Sequence, residues 1–124
     1  MQDYHLPYED LKIWQMAIDL SSEIYRLAKQ FPPEETYALR NQIQRAVVSI
    51  ASNIAEGHAR EKLKEEIYFI DVARGSLNEV YCQLAIAFKL NYINNSQLKQ
   101  TKDLILNLQR AINGYKKYLS TKKQ

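Results

Sequence analysis

The sequence predicts an all-α fold, an antiparallel up-down-up-down four-helix bundle in which residues 1–124 form a single domain. Four long segments carry apolar residues at alternating spacings of three and four, the pattern of helices packed against one another. The 124 residues include three Gly and three Pro, too few turn residues for a many-stranded protein. The short connections between the segments favour antiparallel neighbours.

The first two predicted helices span about residues 9–30 and 34–57. Pro32 and Pro33 separate them, because the residue before a proline avoids the helical region. The second helix is expected to begin near Pro33 or Glu34 and to end at Gly57 as its C-terminal cap. The first carries two adjacent apolar stripes, which predict either a well-filled bundle or a face that meets another subunit. These stripes are Leu11, Trp14, Ile18, Ser21, Tyr25 and Ala28, beside Ile13, Ala17, Leu20, Ile24, Leu27 and Phe31.

The third and fourth predicted helices span about residues 60–90 and 96–119. Gly75 interrupts the apolar stripe of the third helix. We favour a close approach of a neighbouring helix there, and a bend or a glycine tolerated at an exposed position are the alternatives. Ser96, which follows an Asn-rich turn, is the predicted N-cap of the fourth helix.

The cysteine content and hydropathy predict a cytoplasmic protein without a membrane segment. Cys82 is the one cysteine, so no intramolecular disulfide is possible, and we expect its side chain in the core or at an interface. No stretch approaches the roughly 20 consecutive apolar residues of a membrane span, and the N-terminal residues do not resemble a signal peptide.

No arrangement of residues predicts catalysis, a cofactor or a metal. A di-iron bundle needs Glu-x-x-His pairs, but neither His5 nor His58 follows a Glu by three positions. One Cys and two distant His do not supply a zinc site, and the isolated glycines form no phosphate-binding loop. Helical ribonucleases of the HEPN class carry an Arg a few positions before a His, whereas Arg45 lies thirteen residues before His58. The sequence therefore predicts a non-enzymatic protein.

Five charged residues lie at or next to core-facing positions of the predicted helices. We interpret them as an interhelical network that fixes helix register, and a pair of carboxylates for acid–base catalysis is the alternative. The five are Arg45, Glu56, Glu66, Arg74 and Glu79.

Basic residues concentrate in the second half of the chain. Residues 63–124 hold ten Lys/Arg against five Asp/Glu, whereas residues 1–62 hold seven against nine. A basic surface attracts phosphate backbones, although such charges can also form a merely solvated helix face. The nine tyrosines suit either subunit contacts or base stacking. The predicted nucleic-acid-binding residues are Arg60, Lys62, Lys64, Lys99, Lys102, Arg110, Lys116 and Lys117.

Two motifs resemble a known family. The strings QIQRAVVSIASNIAEG and ARGSLNE, preceded by EDLKIWQMAIDL, resemble the four-helix-bundle proteins encoded in 23S ribosomal RNA intervening sequences. The likeness covers roughly residues 8–119. Ala51 stands where the family often has a proline, and His58-Ala59 replaces a more usual small or glycine-containing pair.

This resemblance implies a bacterial protein that assembles into a homopentamer. It also implies a relation to the accessory protein of diversity-generating retroelements, a basic pentameric barrel that binds nucleic acid and a reverse transcriptase. The leading hypothesis is therefore a homo-oligomer that binds RNA or DNA through its basic exterior. The alternative is a protein–protein adaptor, such as an accessory factor for a reverse transcriptase. A third hypothesis, an RNA-processing enzyme, lacks the acid, base and metal residues that it requires.

Overall fold

The computed structural model describes residues 4–122 and contains four long α-helices, which confirms the predicted all-α class. No strand occurs within that range. The helices are α1 (Lys12–Ala28), α2 (Leu39–His58), α3 (Leu63–Lys89) and α4 (Asn95–Thr121), and short 3-10 helices at Pro7–Asp10 and Pro33–Glu35 precede α1 and α2. Apart from the start of α2, the bounds differ from the predicted ones by one to three residues. Each helix packs against two others in the closed order α1–α2–α3–α4.

Where two consecutive helices touch, residue numbers rise along one helix as they fall along the other. Late in α2, Gly57 lies against Phe69 near the start of α3, whereas the earlier Ser49 hydrogen-bonds to the later Ser76. The same opposed order joins α1 and the residues just after it to α2, through Ser21–Val47 and Phe31–Arg40. It also joins α3 to α4, through Glu66–Tyr115 and Tyr81–Lys102. Consecutive helices are therefore antiparallel.

One continuous apolar core joins all four helices. Its largest fully buried side chains are Leu20, Ile24, Leu27, Ile43, Ile50, Ile54, Ile70, Leu77, Leu84, Leu108, Ile112 and Leu119. Burying a side chain of this size contributes about 1.5–3 kcal/mol, so apolar packing is the main source of stability. The other predicted stripe of α1 stays partly open, because Ile18 and Tyr25 are 42% and 41% exposed. The bundle thus keeps an apolar strip on its outside.

α2 begins at Leu39, and the prediction of a start near Pro33 or Glu34 was wrong. Residues 33–35 form a separate 3-10 helix, and the non-helical backbone of Ala38 (φ −123°, ψ −108°) divides it from α2. The Glu35 carboxylate accepts a hydrogen bond from the Leu39 N–H at 3.1 Å. This carboxylate satisfies one of the free N–H groups at the start of the helix, where no side chain of the N-cap residue does so.

The roles favoured for two glycines were also wrong. Gly57 lies inside α2, whose C-cap is Ala59, so it does not terminate the helix. Its lack of a side chain serves close packing, because an added Cβ would lie 2.9 Å from the Phe69 Cβ. Gly75 is exposed, and an added Cβ there would meet nothing within 4 Å, which agrees with the alternative of a glycine tolerated at an exposed position. The close helix approach predicted for Gly75 is therefore found at Gly57.

Asn94, not Ser96, is the N-cap of α4. The Asn94 Oδ1 accepts a hydrogen bond from the Gln97 N–H at 2.8 Å, and the Gln97 Oε1 accepts from the Asn94 N–H at 2.9 Å. This reciprocal pair is a capping box, and it starts the helix one residue before the predicted position.

Candidate nucleic-acid interface

α4 carries a row of basic side chains on the side away from the core. On a helix of 3.6 residues per turn, the exposed Lys99, Arg110 and Lys117 lie opposite the buried residues of α4, and Lys102 lies beside them. From Lys99 to Lys117 the row extends about 27 Å at ~1.5 Å per residue. Asp103 is the one acidic residue of α4. We call these four basic residues the α4 basic stripe.

The stripe is not neutralised by ion pairs. The Lys102 ammonium lies 5.4 Å from the centre of the Tyr81 ring, and the Arg110 Nη1 donates to the Asn107 Oδ1 at 3.2 Å. Within residues 4–122, no carboxylate lies within 4 Å of any of the four cationic groups. Their charges are therefore available to phosphate groups.

Lys116 lies off the stripe and connects two helices. Its Nζ donates to the Asp71 Oδ1 of α3 at 2.7 Å, and the same oxygen accepts from the Arg74 Nη1 at 3.2 Å. Because Asp71 opposes its charge, Lys116 is less available to phosphate than the residues of the stripe.

The other predicted group lies at the α2–α3 junction, at the end of the bundle where α4 also ends. Arg60 is largely engaged there: its guanidinium is 2.9 Å from Glu56, 3.9 Å from Glu65 and 4.8 Å from the centre of the Phe69 ring. Lys62 and Lys64 are exposed, and no carboxylate of the described chain lies within 4 Å of them. The structure therefore places this group at the end of the bundle where Tyr115 and Lys122 of the α4 end lie, and it leaves Lys99 and Lys102 nearer the opposite end.

A pocket of about 460 Å³ opens beside the junction. In its wall the buried Glu66 accepts a hydrogen bond from the Tyr115 hydroxyl at 2.7 Å, and the same oxygen lies 3.5 Å from the His58 Nδ1. Burial and the adjoining Glu66 carboxylate raise the pKa of Tyr115 above its usual range, so the hydroxyl stays a donor. Basic residues of the rim are Arg60, Lys62 and Lys122.

Nothing in the sequence groups the three residues of this contact, which are His58, Glu66 and Tyr115. Tyr115 lies 49 residues after Glu66, and a helical pattern relates residues only a few positions apart. The sequence signal for this contact was the position of Glu66 at or next to the core-facing side of the third helix.

The predicted interhelical network forms only in part. Among the described residues, Glu66 is the one of the five that hydrogen-bonds to another helix. Arg74 and Glu56 form ion pairs with residues close in sequence. Arg45 and Glu79 are exposed and line an open polar groove of about 330 Å³ between α2 and α3.

Cys82 is exposed on α3, so the expectation of a core position was wrong, and a subunit contact stays a prediction. Across residues 4–122, no three His, Cys, Asp or Glu side chains gather where they could hold a metal ion. In the same part of the chain, none of the helices combines the length and the hydrophobicity that crossing a membrane requires.

The fold and surface define a small helical-bundle protein with a basic outer helix. The chain belongs to the family of 23S rRNA-intervening sequence proteins, whose family profile matches residues 9–114. It is also similar to the 1.70 Å crystal structure of a protein of unknown function from the S23 ribosomal protein family of Bacteroides thetaiotaomicron VPI-5482. That likeness has a TM-score of 0.78 at 19% identity and covers 85% of this chain and 98% of the other, so it shows the fold. No curated protein matches the chain.

Proposed function

We propose that this chain is a non-enzymatic, self-associating protein of the cytoplasm that binds RNA or DNA mainly through phosphate contacts. The α4 basic stripe is the observation that carries the proposal. Its four cations are exposed and have no carboxylate partner in the described part of the chain, and three of them, Lys99, Arg110 and Lys117, lie opposite the core. Its length of about 27 Å approaches the roughly 34 Å of one turn of duplex DNA, so several phosphates lie within reach.

Self-association is supported by the partly open apolar stripe of α1 together with the exposed Val48 beside it on α2, which we call the apolar strip on α1 and α2. A groove of about 320 Å³ runs between these helices, and Ile18 and Val48 on its walls are 42% and 44% exposed. A groove lined mainly by apolar side chains favours contact with another protein surface, and we assign this one to a second copy of the chain. In the pentamer that the family resemblance implies, the net charge of +3 per chain becomes +15 per particle, which favours a polyanionic ligand.

Structured RNA is the first ligand to test, because the family takes its name from an intervening sequence of 23S rRNA. We compare the wild type with two variants that each replace three Lys and one Arg by Gln. The stripe variant is Lys99→Gln, Lys102→Gln, Arg110→Gln and Lys117→Gln. The control variant is Lys12→Gln, Arg26→Gln, Lys29→Gln and Lys89→Gln, all exposed positions outside α4.

We expect the stripe variant to lose affinity for a labelled RNA hairpin by about tenfold or more at low salt, because it loses up to four phosphate contacts. The control variant should stay within about threefold of the wild type, since its charges lie elsewhere. Fluorescence anisotropy measures the affinity, and circular dichroism checks that each variant is folded. Equal losses in the two variants would contradict the role of the stripe. A wild type that binds neither RNA nor DNA would overturn the proposal and leave the adaptor alternative.

A further inference from the structure

A surface groove at the start of α3 combines aromatic and basic side chains. Arg60, Lys64, Glu65, Tyr68 and Phe69 line it, and its volume is about 480 Å³. Tyr68 is 62% exposed, and on a helix of 3.6 residues per turn it lies on the side of α3 opposite the core. An aromatic side chain this exposed contributes little to the core of its own chain.

The Tyr68 ring is supported from one side. It meets the Phe69 ring nearly at a right angle, with 5.2 Å between the ring centres. Phe69 packs against α2 at Gly57, and the guanidinium of Arg60 covers its ring at 4.8 Å. Arg60 in turn forms ion pairs with Glu56 at 2.9 Å and Glu65 at 3.9 Å, so its guanidinium stays beside Phe69 rather than turning toward Tyr68. Phe69 therefore contacts one part of the Tyr68 ring, and the rest of that ring is open to a ligand.

A free cation lies next to this ring. Lys64 is one helical turn before Tyr68 on the same side of α3, which places their Cβ atoms about 6 Å apart. No carboxylate in residues 4–122 lies within 4 Å of the Lys64 ammonium, and the Glu65 carboxylate is engaged by Arg60. An apolar partner would leave Lys64 without a counter-charge, whereas a nucleotide brings a flat base and a phosphate together.

We propose that Tyr68 stacks on an unpaired base of single-stranded RNA or DNA while Lys64 contacts the adjoining phosphate. In a duplex both faces of each base are covered by neighbouring bases, so a duplex offers Tyr68 no base to stack on. This inference rests on the proposed function, and it adds that the groove at the start of α3 selects single-stranded nucleic acid. The α4 basic stripe contacts phosphates of either form.

The test measures binding of a labelled 12-nucleotide RNA and of the duplex with the same sequence. Tyr68→Ala should weaken binding of the single strand by about tenfold, the size expected for loss of one stacked base, and binding of the duplex by less than about twofold. Tyr68→Phe keeps the ring and should bind the single strand as the wild type does. Tyr37→Ala removes another exposed ring, 92% exposed at the opposite end of the bundle, and should change neither affinity.

Equal losses for the single strand and the duplex, or no loss for the single strand, would overturn the stacking role. A lower particle mass of Tyr68→Ala in light scattering would also overturn it, because the ring would then belong to a subunit contact. These results leave the proposed function intact when the wild type binds RNA in a salt-sensitive way. A wild type that binds neither probe defeats the proposed function itself, and the stacking role with it.

Discussion

At the scale of single residues, the three glycines show how one residue type takes different roles. An added Cβ at Gly57 would lie 2.9 Å from the Phe69 Cβ and 3.2 Å from the Glu66 carbonyl oxygen. At Gly75 and Gly114 it would meet no atom within 4 Å. In the sequence all three are isolated glycines in helical patterns, so their difference arises from packing between helices.

Gly57→Ala should therefore destabilise the protein by about 1–3 kcal/mol, because the cost of overpacking exceeds the gain in helix propensity. The first atom met is a Cβ, which cannot move away without a shift of α3. Gly114→Ala is the matched control and should stabilise the protein by up to about 1 kcal/mol. Urea unfolding followed by circular dichroism measures both. A Gly57→Ala protein as stable as Gly114→Ala would contradict the close approach of α2 and α3.

Tyr115→Phe should destabilise the protein by about 1–3 kcal/mol at neutral pH, because the buried Glu66 carboxylate loses its hydroxyl donor. Tyr118→Phe, one turn along α4 and 56% exposed, is the control and should have little effect. Chemical unfolding of both variants gives the comparison.

The pH dependence of the Tyr115→Phe effect has a defined sign. Burial and Glu66 raise the pKa of Tyr115 above its ordinary value of 10.0, so the unfolded chain loses this proton at a lower pH than the folded one. The stability that Tyr115 contributes is complete below pH 10 and decreases as the pH rises further. The difference in unfolding free energy between wild type and variant should thus shrink above pH 10, and a constant difference would contradict the raised pKa of Tyr115.

At the scale of helices, the start of α2 depends on a contact that is distant in sequence. The Tyr92 hydroxyl, in the turn between α3 and α4, donates to the Glu35 Oε2 at 2.7 Å, while the other oxygen of Glu35 accepts from the Leu39 N–H. These bonds fix Glu35 beside the first turn of α2. Tyr92 lies 57 residues away, so the local sequence around residues 33–39 does not reveal this start.

The hydrogen bond from Tyr92, and then that from the Leu39 N–H, hold the pKa of Glu35 below its ordinary value of 4.5. Tyr92→Phe should therefore raise the pKa of Glu35, as measured by NMR titration of its side-chain carboxyl. Glu35 contributes stability above pH 4.5 that is lost as the pH falls through its lowered pKa. The stability difference between wild type and Tyr92→Phe should accordingly disappear in acid. An unchanged pKa of Glu35 in the variant would contradict this assignment.

The sequence predicted the helices and their buried stripes because the 3-4 spacing of apolar residues is local information. The burial of Leu20 and Ile24 on α1, for example, followed from it directly. The start of α2 and the pocket beside the α2–α3 junction depended on contacts between residues distant in sequence instead. Glu66 with Tyr115, and Gly57 with Phe69, become neighbours only when the bundle has closed. The basic residues of α4 were predicted, but the lack of ion pairs along the stripe within residues 4–122 and the engagement of Arg60 and Lys116 needed the structure.

At the scale of the whole molecule, the apolar strip on α1 and α2 leads to a prediction about assembly. We expect wild-type particles of five times the 14.5 kDa chain mass, as measured by light scattering. Ile18→Glu combined with Val48→Glu should lower this mass, because charged groups cannot be buried between apolar surfaces without a partner. Ile86→Glu, at a similarly exposed apolar position on α3, should leave it unchanged. A monomeric wild type, or equal effects of the two changes, would contradict the assignment of this face.

The salt dependence of RNA affinity tests the central proposal most directly. Each phosphate contact contributes about −0.7 to −0.9 to the slope of the logarithm of affinity against the logarithm of salt concentration. We predict that the stripe variant lowers the magnitude of the wild-type slope by up to about 3, whereas the control variant leaves it unchanged. A wild-type affinity independent of salt, or the same slope in the wild type and the stripe variant, would contradict phosphate binding by α4.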